Sequence, residues 1–267
     1  LKDKIHEKDY FNNQKISDEW EEERLTTYEY LLFINKYSSR TFNDTNQYPI
    51  FPWLITKYPP QNMADDYRNF KFPMAAQNKE NQVKATNRYS DDEDNNNNFP
   101  VHFGTHYSTS AYVYFYLMRA EPFTALLIKL QSYKQENPDR TFYSLDEVLS
   151  VLKTGHDNRE MIPDLFYKIE QFINLNCSDF GIKNTKRRVD DFIVYEVKSN
   201  KKRNYKELSK YVGFILDNRK VLDGKRMSKN INEWIDNIFG IGQLPSDKIR
   251  KKSLNVFYKE TYEQKTD

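Results

Sequence analysis

The stretch NDTNQYPIFPWLITKYPP, Asn43–Pro60, decides the fold. Pro49, Pro52, Pro59 and Pro60 push the residues before them toward extended backbone and forbid a continuous helix. Yet Ile50, Phe51, Trp53 and Leu54 are too apolar for a solvated loop. Two structures answer this pattern. One is an ordinary edge strand. The other is an extended segment buried without regular pairing, whose backbone groups then need partners because unpaired ones are costly. Asn43, Asp44, Asn46 and Gln47 are the nearest candidates for that task. The residues leave both structures open.

Outward from this stretch the patterns are helical. Upstream, Ser17 is placed to cap an acidic first turn, and Thr26 or Thr27 to cap a second helix carrying Tyr30, Leu31, Ile34 and Tyr37. Downstream, residues 61–98 are polar and end in SDDEDNNNN, which reads as a mobile surface loop over 81–98. From Ser108 to Met118 apolar residues surround the helix, so it should be central, with Ser108 as its cap. Pro122 breaks it and FTALLIKLQ starts another. SLDEVLSVLKTG carries a capping box, Ser144 to Glu147, an apolar face of Leu145, Val148, Leu149 and Leu152, and a stop at Gly155. REMIPDLFYKIEQFINLN reads as a helical stretch interrupted by proline, and VDDFIVYEV as a short strand between basic clusters. Helical patterns return in YKELSKYVGFILDNRKVL and in SKNINEWIDNIFG, where Ser228 is placed to cap, Ile231, Trp234, Ile235, Ile238 and Phe239 share a face, and Gly240 ends the helix.

Composition agrees with a mainly α domain. Gly 7 and Pro 10 in 267 residues are too few for many short strands and tight turns, while 38% apolar and 15% aromatic residues suffice for a sizeable core. Lys+Arg 41 against Asp+Glu 39 gives +2, which points to no nucleic-acid partner. The single cysteine, Cys177, excludes an internal disulfide and suits a reducing compartment. LKDKIHEKDY is charged throughout and is not a secretory leader. With no internal repeat and no linker, residues 1–267 read as one domain.

The stretch FGTHYSTS holds the residues most suggestive of chemistry. His102 and His106 lie four apart, but Pro100 and Gly104 disfavour the helix that would put them on one face for a metal, and no H-E-x-x-H occurs. Gly-Thr-His-Tyr-Ser is not a nucleophile elbow, so a hydrolase centred on Ser108 lacks its framework. Cys177 beside apolar residues reads as packing rather than as a nucleophile paired with His102 or His106. No phosphate loop or dinucleotide fingerprint appears, so no cofactor and no metal are expected. Arg119, Glu121 and Pro122 interrupt the apolar run well before the roughly twenty residues a membrane span needs. Arg119 and Glu121 read as a structural ion pair. The basic stretch KSNKKRNYK, with Lys198, Lys201, Lys202 and Arg203, reads as a solvated loop or as a contact to anionic lipid.

Several blocks together resemble one family. TTYEYLLFINKYSSRTFNDTNQYPIFPWL, FGTHYSTSAYVYFYLMRAEPFTALLIKLQ, NPDRTF, NREMIPDLFY, WIDNIFGIGQ and NVFYKETYE are similar, in order, to the signature blocks of BEACH domains, the beige/Chediak-Higashi and neurobeachin-like family. The resemblance runs from Trp20 to Glu263. It departs from the family at Leu130-Gln131-Ser132-Tyr133, after Pro60, and through residues 189–208. It implies the BEACH fold, an irregular core of partly extended segments surrounded by α-helices. It further implies a non-catalytic scaffold module of a very large cytoplasmic protein, peripheral to intracellular membranes and acting in vesicle trafficking, on lysosome-related organelles or in autophagy. An adjacent PH-like domain in the same polypeptide and trafficking proteins are the implied partners, and WD40 repeats often follow.

On that basis the candidate contacts are Arg40, Asn43, Asp44 and Tyr48 in the turn and His102, His106 and Tyr107 in the loop. The competing role for all of them is internal hydrogen bonding that holds the irregular core. Trp53, Trp234 and Phe239 are expected in the core.

Overall fold

The computed structural model describes residues 15–61, 66–95, 99–130, 141–182, 186, 189, 205–243 and 252–258. Among these are eight α-helices: α1 (Ile16–Glu21), α2 (Thr27–Tyr37), α3 (Lys79–Asp94), α4 (Ser110–Tyr116), α5 (Phe123–Leu130), α6 (Leu145–Lys153), α7 (Tyr205–Leu222) and α8 (Lys225–Ile238). Short 3-10 turns lie at Met74–Ala76, Pro163–Phe166, Ile169–Phe172 and Ile241–Gln243. Strand pairing among the described residues is limited to three isolated bridges, Phe51 with Met161, Ile55 with Tyr67, and Phe103 with Phe257. The fold is mainly α.

The proline-rich stretch takes the second of its two forms, extended and buried without a sheet. Residues Tyr48 to Ile55 are buried while their backbone finds scattered partners. Asn35, inside α2, acts as a substitute strand: its Oδ1 accepts the Ile50 N–H at 2.9 Å and its Nδ2 donates to the Ile50 carbonyl at 3.0 Å. Phe51 N–H donates to the Met161 carbonyl, and Trp53 N–H to Glu160 Oε2. Arg68 donates from its backbone to the Leu54 carbonyl and from Nη1 to the Trp53 carbonyl. The nearby Asp44 does not serve this segment. Its Oδ1 accepts the Asn46 N–H and closes the turn instead.

Glu160 and Arg68 complete the arrangement with a bidentate pair at 2.6 and 2.7 Å, both side chains at most 2% exposed. Buried charges persist only when paired and hydrogen-bonded in this way. Trp53 and Trp234 are fully buried, and Phe239 is partly buried with its ring edge-on to Trp234.

The helices form where caps and apolar spacing agree. Thr26 caps α2 through a reciprocal box with Glu29. Ser144 caps α6 by accepting the Glu147 N–H, and Gly155 beyond its end has φ +82°. A Cβ at Gly155 would stand 2.9 Å from Asn81, whose Nδ2 holds the Lys153 carbonyl, so glycine is required there on two counts.

Five expectations are corrected. Residues 81–94 are helix, not loop: Asn81, Ala85 and Tyr89 make a narrow buried stripe at four-residue spacing that average composition hides, and Asn78 caps it. Thr109 rather than Ser108 caps α4. The eighth helix starts at Lys225, before Ser228, because buried Met227 adds an apolar residue one turn ahead of Ile231. Ser17 lies inside α1, which follows a left-handed Lys15. The proline-interrupted stretch forms 3-10 turns rather than α-helix. The VDDFIVYEV strand falls on residues that, apart from Val189, lie outside the described ones.

Candidate interaction site

Arg40 joins the two blocks that sequence marked as candidates. It follows α2, and its Nη1 donates to the Tyr48 carbonyl at 2.8 Å and to Ser108 Oγ at 2.9 Å. One guanidinium therefore fixes both ends of the turn and ties it to the loop. Tyr48 is buried, and its hydroxyl donates to Asp164 Oδ2 at 3.0 Å. Burial, with the Asp164 carboxylate beside it, pushes this phenol well above its ordinary range.

The turn itself faces outward. Asn43 and Asp44 are exposed, with Thr41 Oγ1 accepting the Asn43 N–H and the Thr41 N–H donating to the Gln47 carbonyl. Phe42 is 46% exposed and meets the edge of Tyr48 at 5.4 Å. Thr45 and Tyr114 hydroxyls share a bond at 3.0 Å that anchors the far side to α4. A large apolar ring thus stands on a surface turn held by a buried tyrosine and an arginine.

The loop faces inward. His102, His106 and Tyr107 are all buried. His102 stacks on Tyr89 of α3 at 4.6 Å, and its backbone N–H bonds the Val256 carbonyl. The Tyr107 hydroxyl donates to the Ile238 carbonyl at the end of α8. His106 packs against both Tyr107 and Phe257, which also meet each other. Its Nδ1 faces both the N–H and the carbonyl of Ser108, at 3.2 and 3.0 Å, so either neutral tautomer is bonded there. Burial pulls the imidazole down to about 4; the Ser108 bond opposes this and the Arg40 charge adds to it.

These contacts bear on chemistry. The group on Ser108 Oγ is a guanidinium, which donates and has no lone pair to take the serine proton. Cys177 is exposed, contrary to the expected packing, at a left-handed backbone position in the 174–178 loop, and no hydrogen bond joins it to either imidazole among the described residues. No group of three or more His, Cys, Asp or Glu among the described residues is arranged to hold a metal. Arg119 also departs from expectation. Its Nη1 donates to the Phe142 carbonyl and its guanidinium lies over Phe180, while Glu121 is exposed. Lys198, Lys201, Lys202 and Arg203 lie outside the described residues, as do Gln131, Ser132 and Tyr133.

One feature escaped sequence reading. Beneath Tyr48, the fully buried Asp164 also binds Lys168 Nζ at 2.5 Å, and Lys168 lies over the Tyr167 ring. Tyr167 meets Tyr28 edge-on, and Arg219 of α7 lies over the Tyr28 ring. Only spacing within each block was available beforehand, and these residues come from three blocks.

The architecture and the site define a mainly helical domain with an unpaired extended core and a buttressed surface turn. The Beige/BEACH domain family matches residues 18–267. The chain is 34% identical over 259 residues to a putative neurobeachin homolog of Caenorhabditis briggsae, covering 95% of this chain and 10% of that protein. It is 34% identical over 257 residues to beige protein homolog 1 of Saccharomyces cerevisiae, covering 93% of this chain and 11% of that one. The protein belongs to the BEACH domain family, and it spans about a tenth of the length of these relatives.

Proposed function

We propose that this chain is a non-catalytic docking module of a large trafficking protein, working in the cytoplasm against intracellular membranes. Its role lies in vesicle traffic, lysosome-related organelles or autophagy, and a PH-like domain of the same polypeptide is its nearest partner. The observation that carries this reading is the outward turn: Phe42, Asn43 and Asp44 are exposed on a scaffold that Arg40 and buried Tyr48 hold rigid. A preorganised turn with an exposed aromatic ring loses little entropy on binding, which is what a docking contact needs. Arg40 and Tyr48 position this surface rather than form it. Family membership supports the same reading, because the relatives are many times longer than this chain and leave room for neighbouring domains. No helix among the described residues is long and apolar enough to cross a membrane, so the helices described supply no anchor by that route.

The test is co-purification from the protein's own cells, comparing wild type with Phe42→Asp and Asp44→Lys, and with Arg40→Glu and Tyr107→Ala, each with a thermal melt. Loss of partners in the two turn variants with melts unchanged is the expected result. Partners that persist in both turn variants would overturn the reading. Arg40→Glu and Tyr107→Ala should lower the melt, since both remove internal bonds.

A further inference from the structure

We propose that the face formed by α7 and the Tyr167 turn is a second docking surface, for an acidic peptide segment that carries aliphatic or aromatic side chains. The proposal rests on the reading of the chain as a docking module. Leu216 is 60% exposed on α7 and Val212, one turn earlier, is 38% exposed. Arg219, one turn further on, lies over Tyr28, which meets Tyr167, itself 44% exposed and flanked by Lys168. Leu216, Arg219, Tyr28, Tyr167 and Lys168 form one surface assembled from α7, α2 and the turn after Pro163–Phe166, with α7 packed on both of the others. Contiguous exposed apolar residues rimmed by charge mark interaction sites more often than scattered ones do.

The sign of the charge names the occupant. Three nearby carboxylates each hold an internal bond, although Asp217 and Asp223 stand at the surface. Asp164 is fully buried on Tyr48 and Lys168, Asp217 accepts from the Tyr58 hydroxyl, and Asp223 accepts the Thr27 N–H at the start of α2. The cations face out. Arg219 and Lys220 are exposed, and Arg219 has no ion pair among the described residues. An exposed guanidinium beside apolar side chains complements a ligand with carboxylates next to Leu or Phe, through bidentate bonds and apolar burial together. Tyr28 and Tyr167 supply rigid rings at low entropic cost.

The experiment selects short random peptides displayed on phage against the wild-type chain, then measures the enriched peptides by fluorescence anisotropy. Enrichment of Asp and Glu beside Leu or Phe is expected, with binding weakened about tenfold or more by Arg219→Glu and by Leu216→Gln, and by raised salt. The melts of both variants should match wild type, and Leu175→Gln, on a separate exposed loop, should bind as wild type does. Peptides without acidic enrichment, or acidic peptides indifferent to Arg219→Glu, would overturn the proposal. Vesicles of phosphatidylserine in phosphatidylcholine are the competing occupant: vesicle binding lost in Arg219→Glu, with no peptide enriched, also overturns it. Because Phe42→Asp leaves this face intact, loss of partners in that variant with no peptide enrichment would retain the turn and reject the α7 face.

Discussion

The extended segment from Tyr48 to Thr56 and the helix α7 solve the same problem in opposite ways. A helix closes its own backbone bonds, so its outer positions need not serve the backbone, and on α7 they include Val212, Leu216, Arg219 and Lys220. The extended segment closes almost none of its own. It draws on Asn35, Arg40, Arg68, Glu160, Met161 and Asp66 for the bonds a sheet would have given. In the first region the identity of a polar residue is open to selection by a partner. In the second it is dictated by the backbone, and a distinctive polar residue there marks an internal obligation.

Substitutions should separate the two regions by size of effect. The largest fall at the centre of the irregular core. Glu160→Gln leaves Arg68 buried with its charge uncompensated and should cost about 3–5 kcal/mol in denaturant unfolding. Trp234→Ala should cost about as much by opening a cavity in a fully buried site. A loss under about 1 kcal/mol at Glu160 would show that the pair does not organise the segment. Asn35→Ala comes next. It orphans both the N–H and the carbonyl of Ile50, at about 1–3 kcal/mol for each group, and hydrogen exchange at Ile50 should accelerate more than at the centre of α7.

That contrast also explains what the sequence made legible. The helices α2 and α6 declared themselves through caps and apolar spacing, which are local signals. The choice between edge strand and unpaired extended segment stayed open because it depends on Asn35, Glu160 and Arg68, and Glu160 lies more than a hundred residues from Trp53. The helix at 79–94 was hidden for a related reason: its buried stripe includes Asn81, whose partners are the Ala75 and Lys153 carbonyls, so a core position looked like a surface one. Candidate site residues were found by resemblance, but their depth was not. Asn43 and Asp44 are exposed, while His102, His106 and Tyr107 are inside. The Tyr28–Tyr167–Arg219 surface gave no local signal at all, since no two of its members share a block.

His106 gives the comparison a pH axis. The unfolded ring takes up a proton below its ordinary value of 6.5, whereas the folded ring resists protonation until about 4. Between these values the unfolded state binds more protons, so stability falls as pH drops from 6.5 and the loss is complete below 4. The expected size is about 2–4 kcal/mol from this one group. His106→Gln should flatten that part of the pH profile measured by urea unfolding. An unchanged slope between pH 6.5 and pH 4 would mean that the ring is already accessible to protons in the folded state.

The smallest expected effect is the sharpest comparison, because one substitution can be made in both regions. Leu54 lies in the extended segment and is fully buried, and Leu216 lies on α7 and is 60% exposed. Leu54→Gln introduces an amide where the surrounding groups are already committed, so it should cost several kcal/mol, about the range of a buried unsatisfied polar group plus the lost apolar contact. Leu216→Gln exchanges one good helix former for another in water and should change stability by no more than about 0.5 kcal/mol. If Leu216→Gln proved as costly as Leu54→Gln, the outer face of α7 would be carrying structure. A change that small leaves Leu216 free of structural duty, which is what the docking face proposed on α7 requires of it.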